Sequence, residues 1–175
     1  MSESQTNFSK SFNPNYLKRR LDFITSNNDR FRRLDSNSGR VANLDTLEQE
    51  LGVKFPDDYK TLVSLSGGLE LVGNYWFIDL RLDSRTFSAK QQDLLALYSK
   101  RRQAGDPVCV LETFPVLPGL IAFGGDYESG VVAWMATTDV SVNWPIVEYD
   151  AAFNTLTIRS ANFIDWVTNK LQSGN

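Results

Sequence analysis

Apolar positions in the first half of this chain recur at helical spacing, and past residue 70 they gather into short aromatic and branched runs. Asn13-Pro14 offers an N-cap followed by proline at the first helical position, and Tyr16, Leu17, Leu21 and Ile24 then repeat every three or four residues, with Phe31 and Leu34 continuing the stripe. Leu44, Leu47 and Leu51 predict a second helix closed by Gly52, and Phe55-Pro56 opens a third with Asp57 and Asp58 in its dipole-favoured first turn and Gly67-Gly68 as its stop. Adjacent residues do not share a helix face, so Asp57 and Asp58 read as capping charges and not as a catalytic pair. Tyr75–Leu80 predicts a strand, and Ser88 precedes a helical stretch carrying Leu94, Leu95, Leu97 and Tyr98 that ends in Lys100, Arg101, Arg102 and Gly105. Strands are predicted over Leu120–Phe123, Val131–Ala136, Ile146–Tyr149 and Thr155–Ile158, with turn signals at Gly124-Gly125-Asp126, Asn143 and Asp150. Ser160 stands as N-cap of a closing helix with Phe163, Ile164, Val167 and Leu171 on one stripe.

Helices first, then strands, then a closing helix predict an α+β single domain. Most connections between the strands are too short for crossover helices, so the central sheet should be mostly antiparallel. Residues 1–12 are polar and without period and read as a disordered tail, 13–43 as an N-terminal helical extension, and 44–172 as the domain.

Composition narrows the chemistry. The chain of 175 residues has no histidine and one cysteine, which removes Ser-His-Asp and Cys-His catalysis and the His- or thiolate-ligated metal sites. Neither GxxxxGK[ST] nor GxGxxG occurs. Cys109 lies among Val108, Val110 and Leu111 and reads as a packed, inert thiol. The expectation is a protein without cofactor or metal, and not an enzyme; an uncharacterised carboxylate site such as Asp126 with Glu128 or Asp150 is the minor alternative. No secretory apolar stretch and no run of about 18 apolar residues is present, so the expected address is the cytoplasm, away from membranes.

Leu47–Gly68, LEQELGVKFPDDYKTLVSLSGG, resembles the opening signature of the SUKH superfamily: a helix ending in LG, then LP and DY, then a helix closed by a glycine turn. Leu120–Gly130 is similar to a second family block, and Trp144-Pro145-Ile146-Val147 to a third. Residues 1–43 lie outside the resemblance, and 84–118 is longer than the family core. The resemblance implies an α+β fold with a central sheet partly wrapped by helices, which works by protein binding, as in bacterial immunity proteins that neutralise a nuclease or deaminase toxin or, alternatively, in the Smi/Knr-type regulatory scaffolds of cell-wall assembly.

Charge bears on the partner. Between Gln103 and Ile158 there is no Lys or Arg, while Asp106, Glu112, Asp126, Glu128, Asp139, Glu148 and Asp150 are acidic; Lys18, Arg19, Arg20, Arg30, Arg32 and Arg33 weight the N-terminal part the other way. An acidic half would steer a basic toxin domain onto the protein, with no direct contact to nucleic acid. Trp134 and Trp166 read as core. The partner-binding candidates are Trp76, Asp79, Asp126, Tyr127, Glu128, Trp144 and Asp150.

Overall fold

The computed structural model describes residues 16, 19, 20, 22, 23, 26, 31–33, 44–66, 69–71, 75–77, 83–126, 130–137, 144–159 and 162–173. Residues 16, 19, 20, 22, 23 and 26 are helical, in keeping with the N-terminal stripe. The stripe does not continue, however. Phe31–Arg33 form a strand, β1, paired antiparallel with Leu69–Leu71, β2. Tail residues 1–12, the Gly67-Gly68 stop, Asn143 and Ser160 lie outside the described residues.

Between β1 and β2 stand helix α1, Leu44–Leu51, and helix α2, Asp57–Ser66. Gly52 ends α1 with φ +67, the left-handed conformation that glycine adopts without a Cβ penalty. Tyr75–Phe77, β3, follows, then the long helix α3, Ser84–Gln103. It starts four residues before Ser88, because Asp83 caps it, accepting from the Thr86 amide at 3.0 Å and the Thr86 hydroxyl at 2.7 Å. After it come β4, Glu112–Thr113; β5, Gly119–Asp126; β6, Val131–Ala136; β7, Ile146–Asp150; β8, Thr155–Arg159; and helix α4, Phe163–Ser173. Asn162 caps α4 by accepting from the Asp165 amide at 2.8 Å, a role expected of Ser160.

The eight strands among the described residues form one sheet in the order β1-β2-β3-β5-β6-β7-β8, with β4 beside β5. Every pairing is antiparallel except β4 with β5. β3 takes the C-terminal end of one β5 edge and β4 the N-terminal end of the same edge, leaving Ala122 between them. Gln91 of α3 fills that gap: its amide donates to the Ala122 carbonyl and accepts from the Ala122 N–H, both at 2.7 Å. Gly124 and Gly125, expected to form a turn, lie inside β5 just past an irregularity in its pairing with β6. At Gly119 a Cβ would collide with the Val116 carbonyl, so the parallel β4–β5 junction requires glycine.

Alternation along the strands feeds two cores. Ile121, Phe123, Val132, Trp134 and Ile146 face α1, α2 and α4 and pack with Leu47, Phe55, Tyr59, Phe163 and Val167. Leu120, Ala122, Val131, Ala133, Val147 and Tyr149 face the other way and pack with Leu95, Tyr98 and Cys109. Trp134 is fully buried at the centre of the first core, with the rings of Phe123 at 4.4 Å, Tyr59 at 4.8 Å and Phe55 at 6.0 Å between centroids. Such aromatic pairs add about 0.5–1.5 kcal/mol each beyond area burial.

The signature LG…FPDDY is explained by this core. Glu48 reaches forward from α1 and accepts from the Phe55 amide at 2.8 Å, while Lys60 joins it from α2 at 3.1 Å. Asp58 turns inward, 1 % exposed, and accepts from the amides of Tyr59 at 2.8 Å and Ile164 at 3.1 Å. Tyr59 stands edge-on to Trp134 and Phe163. The motif therefore ties α1, α2 and α4 to the sheet.

Candidate protein-binding rim

Strand register fixes which loops share an end of the sheet. Leu71 pairs with Tyr75, Tyr75 with Asp126, Gly125 with Val131, Val131 with Tyr149, and Asp150 with Thr155. The β2–β3, β5–β6 and β7–β8 connections consequently leave from one end. Residues 72–74 and 127–129 lie outside the described residues; the β7–β8 turn, 151–154, is described.

That turn is held from below. Asp150 Oδ1 accepts from the amides of Ala152 at 2.9 Å and Phe153 at 3.0 Å, the local bonding that favours aspartate at a turn. Asn154 adopts φ +50, which asparagine tolerates better than most residues. Its Oδ1 accepts from Arg101 Nη1 at 2.6 Å and from the Tyr149 hydroxyl at 3.2 Å, and its Nδ2 donates to Asp106 Oδ2 at 2.9 Å. Arg101 also donates to the Tyr149 hydroxyl at 2.9 Å and to the Ala151 carbonyl at 3.2 Å. One guanidinium from the last turn of α3 thus fixes both the start and the end of the turn. Burial raises the Tyr149 phenol and the Cys109 thiol above their ordinary pKa values, so neither is an activated nucleophile.

Within this frame Phe153 stands 79 % exposed. An isolated exposed side chain needs no explanation, but an aromatic on a turn fixed by seven hydrogen bonds is preorganised for contact. Phe153 was not among the sequence candidates. Its signal was the aromatic set inside the turn run Asp150-Ala-Ala-Phe-Asn154, where no predicted element could bury it.

The sequence candidates fare unequally. Asp126 ends β5 at the rim and Asp150 ends β7 there, two strands away, roughly 10 Å by strand spacing. The Asp150 carboxylate is used within the turn. Trp76 lies mid-strand, its backbone paired with Glu70 and Gly125. Asp79, Tyr127 and Glu128 lie outside the described residues. Trp144 has to be withdrawn as a surface candidate: it is 3 % exposed, with its ring 6.3 Å from that of Trp134.

The acid-rich run does not make a bare acidic face where its residues are described. Cations that flank the run or follow it return to it. Glu112 pairs with Arg102 of α3, and Glu148 meets Lys170 of α4 at 3.0 Å and Arg159 at 3.5 Å. Glu148 also accepts from Trp166 Nε1 at 2.6 Å; burial opposes its ionisation, but these donors and cations outweigh that and lower its pKa. Asp106 is bound to the Val108 amide at 2.9 Å and to Asn154.

A model of the SMI1 / KNR4 family (SUKH-1) matches residues 41–169. The chain belongs to that family. The match begins just before α1 and ends within α4, so the SUKH domain takes in the signature helices, both cores and the rim. No curated protein and no solved structure gives a significant match. No helix among the described residues is long and apolar enough to cross a membrane.

Proposed function

We propose that this SUKH protein acts by binding another protein and not by catalysis, with the rim as its contact surface. The observation that carries the reading is Phe153, exposed on a turn immobilised by Arg101 and Asn154, within a family domain whose remaining described aromatics are largely spent on the core. Aromatic anchors on rigid supports are the usual hot spots of protein interfaces. The partner we propose is a basic toxin domain, a nuclease or deaminase, which the chain neutralises in the cytoplasm as an immunity protein. Asp126 and Asp150 lie at the same end of the sheet as Phe153 and would face the cationic surface that a nucleic-acid enzyme needs. No cofactor and no direct nucleic-acid contact belong to this reading.

The test is capture of partners from the native host with the tagged chain, followed by assay of the captured protein. A toxin whose activity the chain suppresses supports the proposal. Capture of a signalling enzyme or cell-wall factor supports instead the regulatory-scaffold reading.

A further inference from the structure

The two edges of the sheet differ. One is β1, three residues with two arginines. The other is β8, Thr155-Leu-Thr-Ile-Arg159, five residues without proline, glycine, lysine or acid. Thr155, Thr157, Ile158 and Arg159 are exposed, and among the described residues no strand lies outside β8. Sheet edges are ordinarily blunted by short strands, lysine, proline or bulges, since unpaired N–H and C=O groups template further pairing. β8 has no lysine or proline, its one charge, Arg159, stands at its C-terminal end and pairs with Glu148 of β7, and Ile158 is 50 % exposed on it.

We infer that β8 pairs antiparallel with the β8 of a second copy of this chain, about a twofold axis beside Thr157. The sequence of the strand selects this occupant, because it is complementary to itself in that register. Thr157 falls opposite Thr157, Leu156 opposite Ile158, and Thr155 opposite Arg159. Side chains alternate between faces, so Leu156 and Ile158 of both copies form one apolar row, continuous with the core that already holds Leu156 against Tyr149. The threonines and Arg159 line the other face. Charge does not oppose the pairing: the single charge of β8, Arg159, is paired with Glu148 of its own chain at 3.5 Å and falls opposite the neutral Thr155 of the second copy. Cross-strand pairs of these kinds stabilise a sheet, and the edge N–H and C=O groups of both copies, which meet no further strand among the described residues, gain partners.

The test uses the full chain. Sedimentation from micromolar to near-millimolar concentration should show a monomer–dimer equilibrium. Ile158→Lys should hold the chain monomeric with little change in melting temperature. Opposed Cα atoms of an antiparallel pair lie about 4.5–5.5 Å apart, within disulfide reach, and Cys109 is buried. Under oxidation Thr157→Cys should therefore cross-link with itself, whereas Thr155→Cys should cross-link only when mixed with Arg159→Cys. A chain that is monomeric throughout, or a Thr157→Cys variant that fails to cross-link where Thr155→Cys alone succeeds, overturns the inference.

Discussion

Asp58 and Ile164, 106 positions apart, are joined by a 3.1 Å hydrogen bond from the Ile164 amide to the Asp58 carboxylate. The same carboxylate takes the Tyr59 amide, so one buried side chain closes the start of α2 and anchors the first turn of α4. Asp57, its neighbour, is exposed and pairs with Lys60 at 3.0 Å. Asp58→Ala leaves buried N–H groups without acceptors and should lower unfolding free energy by about 3 kcal/mol. Asp57→Ala should cost under about 1 kcal/mol, since it loses only an exposed ion pair. Urea unfolding of both variants checks the contrast; equal effects would refute it.

Stability against pH should carry two opposed contributions. Burial raises the Asp58 carboxyl above its ordinary value despite its amide donors. Its contribution is full below the unfolded-state pKa and is lost as pH rises through the higher folded value. Glu148 is the reverse. Its burial is outweighed by Trp166 and Lys170, its pKa is lowered, and its contribution is present above the unfolded value and lost as pH falls through the folded one. Melting temperatures from pH 3 to 7 should show Glu148→Gln flattening the acid-side loss and Asp58→Asn flattening the decline above the usual carboxylate range. An unchanged acid limb in Glu148→Gln would rule this account out.

Gln91 offers a test of the gap in the sheet. Its amide serves both backbone groups of Ala122 where neither β3 nor β4 reaches. Gln91→Leu keeps the volume and removes both bonds, so it should cost about 2–4 kcal/mol. Hydrogen exchange at the Ala122 amide should rise more than at Trp134, on the neighbouring strand. A loss below about 1 kcal/mol would mean that water serves Ala122 equally well.

Much of the fold was legible because local signals and tertiary demands agreed. Val131–Ala136 appears as expected, being branched, apolar and bounded by turn residues, and Leu44, Leu47 and Gly52 marked α1. What was misread depended on partners distant in sequence. Phe31 continues a helical stripe in sequence, but pairing with Leu71 makes it a strand. Gly124-Gly125 reads as a turn until β3 is known to pair there. Pairing with Arg102, Arg159 and Lys170 takes Glu112 and Glu148 out of the acidic run, since those cations come from other elements. The rim was half legible: Asp126 and Asp150 were named, whereas Phe153 could be found only by asking which aromatic no element would bury.

Phe153 gives the most direct test of the binding surface. At 79 % exposure its removal should leave stability within about 0.5 kcal/mol. As an interface anchor it should nevertheless cost tenfold or more in partner affinity, mainly through faster dissociation. Asn154→Gly separates the anchor from its support. Glycine accepts φ +50 without strain, but the bonds to Arg101 and Asp106 are lost, so the turn loosens with Phe153 intact. Its affinity should fall between wild type and Phe153→Ala, with a larger entropic penalty by calorimetry, because ordering the turn is then required at binding. Reversing Asp126 to Lys should act on the association rate, and most strongly at low salt. Titrations and kinetics at two ionic strengths against the captured partner distinguish the three variants. If Phe153→Ala binds like wild type while the folded state is intact, the interface lies away from the β7–β8 turn.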